Sequence, residues 1–240
     1  MVDAISGGRL EFGVGRGNRA IDYQMLEIDR DESRARFEEA MDVITGVWSN
    51  DRCSHDGRYW QFEDVSVYPR PIQQPLPSIW VAGNSPESAA WAGRHGYHLM
   101  TVAHPRPPEP VRMNTEAWKA SLPGAAAGGR PHCQLLVRVW VEESAERAKA
   151  TAELAYRRYD ELSAFSRERQ TIEEPDLERM FATGRNIYGN PEQCIQGIRN
   201  AAKHFEFDTL AAVFNFGGIP HERVMTAMQL FAREVMPAFQ

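Results

Sequence analysis

An arginine between two glycines, Gly15-Arg16-Gly17, closes the stretch Arg9–Val14 (RLEFGV), and that combination suits an oxyanion. Glycine lets the backbone approach a ligand closely, and the guanidinium offers a planar fork of donors matched to phosphate. A second place of the same kind is Asn84-Ser85-Pro86-Glu87-Ser88. Ser85 fits a helix N-cap and Pro86 the first helical position, so the partly positive helix start and the hydroxyls of Ser85 and Ser88 would face an anion. Arg34 is a third candidate. It lies in the first turn of a helix, where a cation opposes the helix dipole unless an anion sits in front of it. Each feature alone has a bland alternative: a surface turn, an ordinary cap, a solvated arginine in the run DRDESRAR. Their common placement is more telling, because both loops follow strands, and parallel α/β folds bind ligands at the carboxyl ends of strands.

Other chemistries find little support. The cysteines Cys53, Cys133 and Cys194 are far apart and have no CxxC spacing, which argues against a zinc knuckle or a disulfide framework. The histidines are scattered without HExxH spacing, and no metal site is expected. His95, His98, His104 and His221 are candidates for a catalytic histidine, with His104 the best placed because it lies just past a strand's carboxyl end. A net charge of −6 argues against a nucleic-acid partner. No apolar run approaches the roughly 20 residues of a membrane helix, and MVDAISGG lacks the pattern of a signal peptide, so a cytoplasmic location is expected.

The elements that must position these residues alternate. Strands are expected at Arg9–Val14, Ser78–Gly83 (SIWVAG), Tyr97–Ala103, Gln134–Val141 (QLLVRVWV) and Thr209–Phe216 (TLAAVFNF). The SIWVAG run reads as a nearly continuous apolar strand of a buried parallel sheet. Helical spacing follows Asp29 or Asp31, with Phe37, Ala40, Met41, Ile44, Val47 and Trp48 on one face. Further helices start at Ser85, at Ser144 (stripe Ala148, Ala152, Ala155, Tyr159, Leu162), at Asn190-Pro191 and at Pro220. Gly57–Pro69 reads as a small surface hairpin around an acidic turn. Pro105–Pro131 reads as a long loop around a short helical piece near Glu116–Ser121, and Glu168–Arg185 carries no clear signal. This order implies one α/β domain over residues 1–240, with about five parallel core strands.

Three stretches, SGGRLEFGVGRG, PSIWVAGNSPESAAWAGRHGYHLM and PHERVMTAMQLFAREVMPAF, resemble the bacterial luciferase-like, flavin-dependent monooxygenase family in this order. The resemblance is weakest between about 105 and 185. It implies a (β/α)8 barrel, here a partial one: the first three βα units, which carry the family's catalytic histidine, have no counterpart in this sequence, so no catalytic residue carries over. It implies reduced FMN, or the deazaflavin F420 in some branches, with dioxygen as co-substrate for oxygenating a small organic molecule. A flavin reductase supplying reduced flavin and a homo- or hetero-dimer are implied as partners. By the resemblance Arg16 and Arg34 hold the flavin phosphate, Ser85 and Ser88 supply hydroxyls to it, and Ala82, Gly83 and Asn84 run beside the ring and ribityl chain. The alternative is a non-catalytic flavin-binding or partner subunit.

Overall fold

The computed structural model describes residues 1–103, 107–124, 130–166 and 176–239. The chain divides into two compact units, Met1–Ala82 and Gly83–Gln240. In both, strands and helices alternate and the paired main-sheet strands run parallel, the expected α/β class.

In the first unit, β1 (Glu11–Val14) pairs in parallel with β4 (Ser78–Ala82), Gly13 opposite Trp80 and Val14 opposite Val81. Side chains alternate across this pair. Ile79 and Val81 are buried, whereas Glu11, Gly13 and Ala82 are exposed and Trp80 is half-buried. The SIWVA run, expected to be buried on both faces, is therefore buried on one. Two short helices, α1 (Val2–Ser6) and α2 (Ala20–Met25), flank β1 in sequence. Asp29 accepts the Asp31 amide (2.9 Å) and caps a single 3-10 turn, Arg30–Glu32, that leads into α3 (Ser33–Ser49). Helix α3 rests Trp48 edge-on against Phe12 of β1, ring centroids 4.9 Å apart.

The hairpin is β2 (Cys53–Asp56) with β3 (Gln61–Val65). It starts before the expected Gly57, and its turn is Gly57–Trp60; the acidic pair Glu63-Asp64 lies within β3. The reason is Glu39 of α3. Its carboxylate accepts the amides of Arg58 (3.1 Å), Tyr59 (2.9 Å) and Trp60 (2.9 Å), so a tertiary contact chooses where the chain reverses. Asp3 does the same for the proline-rich connector: it is 1% exposed and accepts from the amides of Ile72 (2.6 Å) and Gln73 (3.1 Å).

The second unit is centred on β6 (Cys133–Val141), buried along nearly its whole length. It pairs in parallel with β5 (His98–Val102), with β8 (Thr209–Val213) and with β7 (Asn186–Gly189). The five expected strands are all present, and β7 is an additional one. It begins where the polar stretch Glu168–Arg185 ends, and too few residues precede Asn190-Pro191 to show a period. Helix α4 (Pro86–Arg94) packs closely on α5 (Pro108–Ser121): a side chain on Gly93 would place its first carbon 2.4 Å from the Trp118 carbonyl oxygen. Helix α5 is longer than the expected piece near Glu116. Its prolines stand in the first turn, where the missing N–H costs nothing, so a proline-rich stretch read as loop starts a helix. Helix α6 (Ala145–Ser166) buries Ala148, Ala152, Ala155 and Tyr156, while Leu162, expected on that stripe, is 69% exposed. Helices α7 (Leu177–Ala182), α8 (Pro191–His204) and α9 (His221–Leu230) complete the unit, α9 running on into a π-helical turn, Phe231–Val235. No helix among the described residues is long and apolar enough to cross a membrane.

Candidate functional site

In the first unit the polypeptide leaves β1 through Gly15-Arg16-Gly17, and Gly17 adopts the left-handed φ of 79° that glycine tolerates. A methyl placed on Gly15 would lie 3.2 Å from the Ala82 Cβ, so the carboxyl ends of β1 and β4 stand side by side. Arg16 reaches the start of α3, donating from Nη1 to Ser33 Oγ at 3.4 Å. Ser33 is buried and immediately precedes Arg34. Arg16 is thus brought from the carboxyl end of β1 to the amino end of α3, where Arg34 follows Ser33 in sequence. Arg34 also lies 3.7 Å from Glu38 one turn along, a partly exposed pair of small energetic weight.

Two residues that reading by type passed over belong here. Ser33 positions Arg16. Tyr23 of α2 donates to the Arg16 carbonyl at 2.6 Å and pins the turn from its other side. Neither sits in a recognisable motif. Their only signal is proximity in sequence to Arg16 and Arg34, and serines and tyrosines are common enough that proximity alone selects nothing. The open face below the turn carries Glu11, Gly13, Trp80 and Ala82, with the Trp80 indole N–H donating to the Glu11 carboxylate. An aromatic side chain between small residues on an accessible sheet face is a surface on which a planar ring can lie.

In the second unit the chain enters at Gly83, whose amide donates to the Met100 carbonyl (3.1 Å) and whose own carbonyl accepts from Asn114 Nδ2 (3.3 Å). Both bonds hold the backbone against β5 and α5 before Asn84 turns outward, exposed, into the loop. Ser85 is the N-cap of α4: its Oγ accepts the Ser88 amide (3.3 Å) and lies 3.1 Å from Ser88 Oγ. With Pro86 at the first position, the expected cap is realised. The hydroxyls of Ser85 and Ser88 are adjacent at a helix end that bears partial positive charge.

The histidine candidates do not gather at these loops. His95 is stacked between Trp91 (4.3 Å) and Tyr97 (5.5 Å) with Nδ1 2.8 Å from the Trp91 carbonyl, a packing role. His98 opens β5, at the amino end of that strand, and stacks on His132 at 5.6 Å. His221 is the first residue of α9. His104 lies outside the described residues. Burial pushes the thiols of Cys133 and Cys194 up to about 11 and about 12, so neither is a nucleophile near neutrality.

A family model described as luciferase-like monooxygenase matches residues 1–204. The oxygenase component of a flavin-dependent trigonelline monooxygenase from Acinetobacter baylyi is 27% identical over 255 residues, covering 100% of this chain and 70% of that protein. An F420-dependent glucose-6-phosphate dehydrogenase from Beutenbergia cavernae is 30% identical over 178 residues, covering 72% of this chain and 51% of that protein. The crystal structure of a monooxygenase from Streptomyces bottropensis superposes with a TM-score of 0.89 at 27% identity, covering 100% of this chain and 72% of that one. The chain therefore spans about half to seven-tenths of the length of these relatives.

Proposed function

Because the chain belongs to the luciferase-like monooxygenase family, we propose that it binds reduced flavin mononucleotide and takes part in oxygenating a small organic substrate. The observation that carries this reading is Arg16 laid on Ser33 beside Arg34, at the carboxyl end of β1. A phosphate dianion in front of that helix start answers the guanidinium groups of both arginines.

In this reading Arg16 and Arg34 of the first unit offer their forks to a phosphate, and Ser85 and Ser88 of the second offer hydroxyls suited to one. Ala82, Gly83 and Asn84 run along the ribityl chain and ring, where small side chains permit close approach. The open face with Gly13 and Trp80 supports the ring and keeps water from it. Reduced flavin, when bound, supplies the electrons and the activation of dioxygen. The protein's share is to hold the ring, orient the substrate and exclude solvent. A separate reductase delivers the reduced flavin, and the chain works as a dimer. Flavin mononucleotide is preferred over F420 because the arginine–serine set answers a terminal phosphate monoester.

Titration with oxidised and reduced flavin mononucleotide, and separately with F420, followed by fluorescence and visible absorbance, tests the reading. Arg16→Ala is expected to weaken flavin binding by about 1.5–3 kcal/mol, the value of a hydrogen bond to a charged group. Ser88→Ala should weaken it less, because it removes a hydroxyl and no charge. Absence of binding at high micromolar flavin, or an unchanged affinity in Arg16→Ala, rejects the phosphate assignment. Tight flavin binding without oxygen consumption in the presence of a reductase would favour a non-catalytic flavin-binding subunit.

A further inference from the structure

A cavity lies wholly within the second unit, at the carboxyl end of β6. It has a volume of about 390 Å³ and is lined by Trp140 from the end of β6, Glu142 just past it, Arg147 from the first turns of α6, and Arg223, Leu230 and Arg233 from α9 and the turn beyond it. That volume falls within the range of small-molecule sites, roughly 300–1,000 Å³. Carboxyl ends of parallel strands are where α/β folds place ligands.

Among the lining residues positive charge exceeds negative by one. The lining carries three arginines against Glu142 and Glu143. Glu142 is committed: it accepts from the Trp140 indole N–H (2.9 Å), Thr151 Oγ1 (3.0 Å) and Arg223 Nη2 (2.7 Å). Burial pushes its carboxyl up, but those three bonds outweigh it and hold it below the usual carboxylate range. Arg147 meets the same carboxylate only at 3.9 Å, with its side chain 70% exposed. Arg233 pairs with its neighbour Glu234, which does not line the cavity. Arg233 also sits in the π-helical turn Phe231–Val235, a backbone irregularity that recurs at functional sites. Leu230 gives the wall an apolar portion.

We propose that this cleft binds a small organic oxyanion, a phosphate monoester or a carboxylate, held by the forks of Arg147 and Arg233 with its apolar body against Leu230. Arg223 stays with Glu142 and stiffens the floor. The proposal does not depend on flavin binding.

Isothermal titration of the full chain with phenyl phosphate, with benzoate and with uncharged benzyl alcohol tests it. Saturable binding of at least one anion, none of benzyl alcohol, and weakening on added salt are expected. Whichever anion binds more tightly identifies the head group. Arg147→Ala/Arg233→Ala should weaken that binding at least tenfold, and Arg147→Lys/Arg233→Lys, which keeps the charge without the fork, should restore only part of it. Both side chains are largely exposed, so the fold should survive, which circular dichroism checks. The titration is run in the Arg16→Ala background, so that a phosphate held at the β1 turn does not contribute to it. Failure of both anions to bind in that background, or binding unaltered when the two further alanine changes are added, would each overturn the proposal.

Discussion

Gly83 stands where the chain leaves β4 for the phosphate-type loop, and replacing it with alanine is a sharp test of why a glycine is needed there. The new Cβ would fall 2.5 Å from Leu99 Cδ1, 3.3 Å from Ala89 Cα and 3.4 Å from Ala89 Cβ. Carbon atoms pack best at about 3.5–4.0 Å, so the leucine methyl must retreat by about 1 Å. The backbone cannot swing away instead, because Gly83 is tied to Met100 on one side and to Asn114 on the other. Leu99 is 0% exposed, so its methyl cannot retreat into solvent and must displace its packed neighbours. Gly83→Ala is therefore an overpacking substitution, expected to cost about 1–3 kcal/mol. Leu99→Ala alone should cost about 2–5 kcal/mol through the cavity it leaves. In the double variant the methyl added at position 83 occupies part of that cavity, so the combined loss should fall short of the sum by about 1 kcal/mol or more. Urea unfolding of the four proteins, followed by circular dichroism, gives the cycle. A Gly83→Ala protein within about 0.5 kcal/mol of the parent, or effects that add within about 0.5 kcal/mol, would refute the steric reasoning.

Three further outcomes follow from the same geometry. Asn190 and Gln193 form a reciprocal capping box at α8, with contacts of 2.9 and 3.0 Å, and Asn190→Ala should cost about 1 kcal/mol in urea unfolding, Asn190→Gly only a few tenths. At pH 8 a thiol raised to about 11 is thiolate in roughly one molecule in a thousand, so iodoacetamide should label the native chain at partly exposed Cys53 and spare buried Cys133 and Cys194; fast labelling of either would contradict their burial. The Glu142 carboxyl is lowered in the fold, so its contribution is present above the usual carboxylate range near about 4 and is lost as pH falls through its folded value; Glu142→Gln should flatten the acid limb of Tm against pH, and an unchanged limb would show its bonds to be unimportant.

The sheet strands and the helix starts were legible because their causes are local. Alternation or an apolar run marks a strand from its own residues, and Ser85-Pro86 and Asn190-Pro191 satisfy helix amides within one turn. What escaped is non-local. Strand β7 is four residues long, held as a strand by pairing with β6 rather than by any period of its own. The hairpin turn is chosen by Glu39, about twenty residues away, and the connector by Asp3, about seventy away.

The sequence by itself thus determined five of the strands and the helix starts at Ser85, Asn190 and Pro220, and it singled out Arg16, Arg34, Ser85 and Ser88 as the residues to watch. Only the tertiary structure decided that Arg16 lies on Ser33 next to Arg34, that β1 and β4 leave one face open, and that an arginine-rich cleft stands at the end of β6. The physical reason is range. Propensity, capping and periodicity act over a few residues. A guanidinium meeting a distant hydroxyl, or a carboxylate collecting distant amides, depends on packing of the whole unit, and no local pattern encodes it.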